Sequence, residues 1–159
     1  MLTVIGCGNT NRADDGVGVH VVRRLQAMAE REGYSGVRLV DAGTSGVESM
    51  LEAAGSTAII YVDANASGAA PGTVIELKGE QIAASAASGV SLHDFRWDHA
   101  LRLGRELYKD AFPDDVTVYL IEVCNVEYGT ELAARVAAAA DAVVQAVWRR
   151  IMDAGRDGR

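Results

Sequence analysis

The stretch Leu2-Thr3-Val4-Ile5-Gly6-Cys7-Gly8-Asn9-Thr10-Asn11-Arg12-Ala13-Asp14-Asp15-Gly16-Val17-Gly18 decides how the rest of the chain is read. Leu2–Gly6 is a short apolar run that ends in glycine, the pattern of a buried strand. From Asp14 the period changes, and Val17, Val21, Leu25 and Met28 recur at helical spacing as far as Glu32. A strand that turns through glycines into a helix is the first half of a βαβ unit, so the question is whether the pattern repeats.

It does. Val37–Val40 reads as a second strand, closed by Asp41-Ala42-Gly43. Thr44 is then placed to cap a helix with Val47, Met50 and Leu51 on one face. Thr57–Val62 is rich in β-branched residues, reads as a third strand and runs into Asp63. Thr73–Leu77 reads as an edge strand, Trp97–Lys109 as a helix with Ala100, Leu103 and Leu107 as its stripe, and Val116–Val123 as another strand. Glu131–Met152 closes the chain as a long helix with Leu132, Val136, Val143, Val147 and Ile151 on one side. Ala83–Val90 is small and polar and takes no assignment. The expectation is a single three-layer α/β domain over residues 1–152, with a mainly parallel twisted sheet of about five strands and helices on both faces. Residues 153–159 are expected as a polar, frayed tail.

Composition sets the outer bounds. A chain of 159 residues with 49% hydrophobic content supports one full core and excludes a disordered or fibrous class. A formal net charge of −7 repels phosphate backbones and anionic lipid, so no nucleic acid and no membrane is expected as a partner. No apolar run approaches the roughly 20 residues needed to span a bilayer. Met1-Leu2-Thr3-Val4-Ile5 lacks the basic start of a signal peptide, so a cytoplasmic protein is expected. Cys7 and Cys124 stand in no metal or redox spacing and read as buried, reduced thiols.

In parallel sheets ligands bind beyond the carboxyl ends of the strands. That rule brings Asn9–Asp15, Asp41–Gly46 and Asp63–Ser67 to one edge. Gly6-Cys7-Gly8-Asn9-Thr10-Asn11 begins like a dinucleotide fingerprint, but Asn11 takes the third glycine position, and Asp41 stands where a ribose-binding acid would. Asp14 and Asp15 would repel a pyrophosphate at the helix start, so a nucleotide-dependent oxidoreductase is the weaker reading. The two acids suit a cation better. One of them, Asp14 or Asp15, is expected as the helix cap, leaving the other to face the cleft. Asp63 follows a fully apolar run, where a carboxylate is costly unless it is hydrogen-bonded or binds a cation; an Asx turn is the structural alternative. His93 lies ahead of a helix, with His99 as its competitor, whereas His20 falls away from the cleft. Two carboxylates and an imidazole suit a borderline metal such as nickel or zinc. Trp97 is either substrate-facing or core, and core is the commoner fate of an aromatic.

These blocks, in this order, resemble the nickel–iron hydrogenase maturation endopeptidases. Gly6-Cys7-Gly8-Asn9 followed by Asp14-Asp15-Gly16-Val17-Gly18 resembles the family's first signature, Asp41-Ala42-Gly43-Thr44-Ser45-Gly46 its second, Val62-Asp63-Ala64 its third, and Leu92-His93-Asp94 the segment with its histidine. Some members carry Glu where Asp15 stands, and Asn11 takes a position that is often apolar. The resemblance covers nearly the whole chain. It implies an endopeptidase that removes the C-terminal extension of the hydrogenase large subunit after nickel insertion, with the precursor as partner. It also implies that Asp15, Asp63 and His93 serve as both metal ligands and catalytic residues, which leaves Asp14 as the expected helix cap. The metal would be nickel carried by the precursor, and no organic cofactor is expected; the protein is expected to act as a monomer. There is no Ser/His/Asp set, no Gly-x-Ser-x-Gly elbow and no His-Glu-x-x-His helix to suggest another peptidase chemistry. A carboxylate dyad of Asp15 and Asp63 is a second mechanism, and a chaperone that binds the large subunit without cutting it is a third class of function.

Overall fold

The computed structural model describes residues 1–79, 81–82 and 97–157; Ala83–Val90 and His93 lie outside the described residues. Strands that are apolar at every position must be covered on both faces, and the sheet is built that way. It comprises β1 (Leu2–Cys7), β2 (Val37–Gly43), β3 (Ala58–Asn65), β4 (Val74–Lys78) and β5 (Asp115–Glu122) in the order β2-β1-β3-β5-β4. β1 pairs in parallel with β2 and with β3, and β3 in parallel with β5. β4 closes one edge antiparallel to β5, where an edge strand was expected. The chain is therefore a single α/β domain on a five-stranded, mainly parallel sheet.

Alternate side chains of the four parallel strands enter opposite cores. Val4, Ile60, Val62 and Ile121 pack with α1 (Val17–Glu32) and α4 (Ala134–Asp157). Ile5, Cys7, Ile59, Tyr61 and Val118 pack with α2 (Gly46–Ala53) and α3 (Trp97–Tyr108). The four parallel strands carry their carboxyl ends to one edge. α1 begins there, pressed onto the sheet at Gly18: a Cβ at that position would lie 2.2 Å from the Val62 carbonyl oxygen and 2.4 Å from that of Cys7. Only glycine allows the helix to start so close to two strands.

Several expectations are corrected. Asp14 does not open the long helix. A 3₁₀ turn, Ala13–Gly16, comes first, and Gly16 occupies the N-cap of α1 with no side-chain cap bond. α2 is capped by Ser45 rather than Thr44, the Ser45 hydroxyl oxygen accepting the Glu48 N–H at 3.2 Å. Ser45→Ala is expected to lower stability by about 1 kcal/mol, seen as a lower urea midpoint at unchanged slope. The buried face of α2 is Gly46, Ser49, Met50 and Ala53, while Val47 and Leu51 are 50% and 55% exposed. α3 likewise buries Trp97, Ala100, Leu101 and Gly104 and leaves Leu107 exposed. α2 and α3 pack on each other, and small residues on the inward faces let them approach closely. α4 starts later than the apolar pattern suggests and remains helical to Asp157, into the segment expected to fray. No helix of the described residues is long and apolar enough to cross a membrane.

Candidate active site

The acid loop between β1 and α1 does not stand alone. It is zipped to the loop that joins β5 to α4. Gly129 donates to the Asn11 carbonyl at 3.0 Å and accepts from the Ala13 N–H at 2.7 Å, and the Asp14 N–H donates to the Asn125 carbonyl at 2.9 Å. Gly8, at φ +131°, completes the close fit: a Cβ there would sit 1.9 Å from the Asp15 carbonyl oxygen. This backbone conformation, closed to ordinary side chains, folds the loop back over itself.

Asp14 is the anchor of that zip and faces inward. Its carboxylate is fully buried and accepts the N–H groups of Ala133 at 2.7 Å, Asn125 at 2.9 Å and Cys124 at 3.2 Å, with the Cys124 thiol at 3.4 Å. Burial is the largest single influence on its pKa and raises it, but the three backbone donors and the thiol together outweigh burial and hold the group below its ordinary value. The same contact acts oppositely on the thiol, which donates to Asp14 and is pushed up. Cys7 is buried and Cys124 is exposed, and neither is in a disulfide; the expectation of two buried thiols fails at Cys124, which lies beyond the end of β5 on the surface loop.

With Asp14 turned in, Asp15 is left half-buried at the cleft. Its Oδ2 accepts the Asn9 N–H at 3.0 Å, which sets the direction of the side chain. It lines a cleft of about 290 Å³ together with Asn9, Arg12, Thr44, Asn65 and Val126, that is, with loops following β1, β2, β3 and β5. The 3₁₀ turn that carries Asp15 packs on β3. Asp63 lies within β3, 1% exposed, paired in register with Leu120 of β5. Its Oδ1 accepts the Ala64 N–H at 2.8 Å. By the alternation of the strand, Asp63 shares the face of Ile59 and Tyr61, the one covered by α2 and α3.

A further carboxylate at this edge was not anticipated. Glu122, buried at the end of β5, accepts the Asn65 side-chain amide at 2.8 Å, the Ser67 N–H at 2.7 Å, the Ser67 hydroxyl at 2.9 Å and the Gly68 N–H at 2.8 Å. It shapes the loop after β3 from the neighbouring strand. Its one signal in the sequence is an acid closing the apolar run Val118-Tyr119-Leu120-Ile121-Glu122. Asp41 is tied up structurally, accepting from the Gly43 N–H at 3.1 Å and pairing with Arg23 of α1 at 2.9 Å. His20 lines a separate hollow, with Thr10 and Arg23. His99 lies inside α3, and Trp97 is core.

Among the described residues no three His, Cys, Asp or Glu side chains gather closely enough to hold a metal ion. Asp15 and Asp63 each bring a carboxylate to the same edge of the sheet, and the imidazole named from sequence, His93, is outside the described residues. Two carboxylates and an imidazole form a mixed oxygen and nitrogen donor set of the kind that suits nickel.

Fold and site together define a single-domain α/β protein with a cleft at the carboxyl edge of its sheet that Asp15 lines. Comparison with known proteins narrows this. A family model described as hydrogenase maturation protease matches residues 19–150, a span that contains Asp63 and His93 and begins just after the acid loop. The chain belongs to the hydrogenase maturation protease family. It is 30% identical over 118 residues to the hydrogenase 2 maturation protease of Escherichia coli K12, covering 74% of this chain and 70% of the relative. It is 29% identical over 128 residues to the hydrogenase expression/formation protein HupM of Azotobacter chroococcum, covering 79% of this chain but only 59% of the length of HupM. Among solved structures, the hydrogenase maturating endopeptidase HybD of Escherichia coli superposes with a TM-score of 0.78 at 25% identity, covering 97% of this chain and 93% of HybD.

Proposed function

We propose that the chain is a cytoplasmic endopeptidase that removes the C-terminal extension of a nickel–iron hydrogenase large-subunit precursor once nickel has been inserted. The observation that carries this reading is the pair of carboxylates, Asp15 on the cleft wall and Asp63 buried in the adjoining strand, at the carboxyl edge of the sheet in a chain of this family. Nickel enters as part of the substrate. Asp15, Asp63 and His93 engage it, and when so held it polarises the scissile carbonyl or lowers the pKa of a water. The Asn9 N–H keeps the Asp15 carboxylate aimed at the cleft.

This chemistry makes metal recognition a checkpoint, because a precursor without nickel offers the two carboxylates nothing to bind. Nickel-loaded precursor incubated with the protein is expected to lose its C-terminal extension, read as a mass shift, while nickel-free precursor stays intact. Equal cleavage of both would instead support the Asp15–Asp63 dyad, in which the carboxylates act directly on the peptide.

A further inference from the structure

Beside the Asp15 cleft, against its lining residue Arg12, the fold holds an aromatic ring out in water. Tyr128 is 92% exposed, more so than the other exposed large hydrophobic residues among those described. It does not sit on a slack loop. Its neighbour Gly129 is hydrogen-bonded to Asn11 and Ala13, and the Asn125 side chain accepts the Glu127 N–H at 3.0 Å. The Arg12 guanidinium lies 5.9 Å from the ring centre, and its Nε donates to the Val126 carbonyl at 3.0 Å. Arg12 and Val126 both line the cleft, and Arg12 is the cation among the described residues that do so. Among the described residues no carboxylate pairs with Arg12.

Holding Tyr and Arg side chains ready-ordered at a surface gives the fold little, but it suits binding. These residue types carry most interface energy, and a guanidinium already stacked on a ring loses less freedom when a partner arrives. The cleft beside them is small enough for a few residues of chain and too small for a folded surface. Asn9, Thr44 and Asn65 on its walls offer hydrogen-bonding groups suited to a peptide main chain.

We propose that Arg12, Val126 and Tyr128 form a specificity-determining lip that seats the extended segment of the precursor flanking the bond to be cut. An apolar or aromatic side chain of that segment lies on Tyr128 and Val126. A main-chain carbonyl of the same segment accepts from the terminal N–H groups of Arg12. This inference rests on the peptidase reading above.

The test is steady-state cleavage of nickel-loaded precursor by wild type, Tyr128→Ala and Tyr128→Phe, with binding of a labelled synthetic peptide of the precursor's C-terminal segment measured in parallel. Tyr128→Ala is expected to raise KM about tenfold and to weaken the peptide by the same factor. Its kcat and melting temperature should stay as in wild type, because so exposed a ring supports no core. Tyr128→Phe keeps the apolar face and should match wild type. If wild type cleaves the precursor and Tyr128→Ala shows the same KM and peptide affinity, the lip is refuted and the peptidase reading stands. If wild type leaves nickel-loaded precursor uncut and binds no peptide, both fall together.

Discussion

Asp14→Ala is expected to destabilise the fold by about 3–5 kcal/mol, although Asp14 neighbours the acid that faces the cleft. The substitution strands three main-chain N–H groups, those of Cys124, Asn125 and Ala133, that now donate to one buried carboxylate. A donor left without an acceptor costs about 1–3 kcal/mol when buried, and access of the Cys124–Asn125 segment to water keeps the sum below the simple total. For a domain of this size the melting temperature should drop by roughly 10 °C. pH adds a second signature. The pKa of Asp14 is lower folded than unfolded, so its contribution is complete above the unfolded value, about 3.9, and is lost as pH falls through the folded one. The stability gap between wild type and Asp14→Asn should therefore be widest at neutral pH and shrink in acid, as followed by urea titration at a series of pH values. A gap that does not change with pH would mean that the charge of Asp14 contributes nothing.

Asp63→Asn should show the reverse pattern, with activity lost and stability kept. The amide oxygen can still accept the Ala64 N–H, and a neutral group is easier to bury than a carboxylate in a strand 1% exposed at this position. The melting temperature is expected to stay level or rise. A neutral amide binds nickel far more weakly than a carboxylate. Loss of groups that merely orient metal ligands already costs 10–100-fold, so loss of a ligand should cost at least about 100-fold in cleavage of nickel-loaded precursor. If Asp63→Asn cleaves as fast as wild type, Asp63 is a structural acid and the ligand set is wrong.

These two acids also mark where a sequence can and cannot be read. Strands β1, β3 and β5 were legible because burial on both faces leaves an unbroken apolar run, and the carboxyl-edge rule then places Asp15 and Asp63 without coordinates. The inward faces of α2 and α3 were legible only at Met50 and Ala100. Ser49, Gly46 and Ala53 of one, and Gly104 of the other, are buried because they are small. A Cβ on Gly104 would meet the Phe112 ring at 2.3 Å. Hydrophobic periodicity weighs side chains by their apolar content, so it points at Val47, Leu51 and Leu107, which are in water. Asp14 was misread for a different reason. A helix cap is a local inference, and an acid ahead of a helix invites it. The true partners of Asp14 lie more than a hundred residues further along the chain, beyond the reach of any local rule. Glu122 was missed in the same way, since the loop it organises follows a different strand.

The zip between the first loop and the β5–α4 loop also bears on the order of folding. β1, β2 and β3 can pair once their own residues are present, but the acid loop lacks its anchor until residues 124–133 arrive. Contacts at such sequence separation form late, after the entropy of closing a long loop has been met. A partly synthesised chain would then hold β1, β2 and β3 while the loop that carries Asp15 is not yet anchored to the rest of the domain. Under the proposed function, nickel recognition would be acquired only once residues 124–133 are in place, in the same step that buries Asp14.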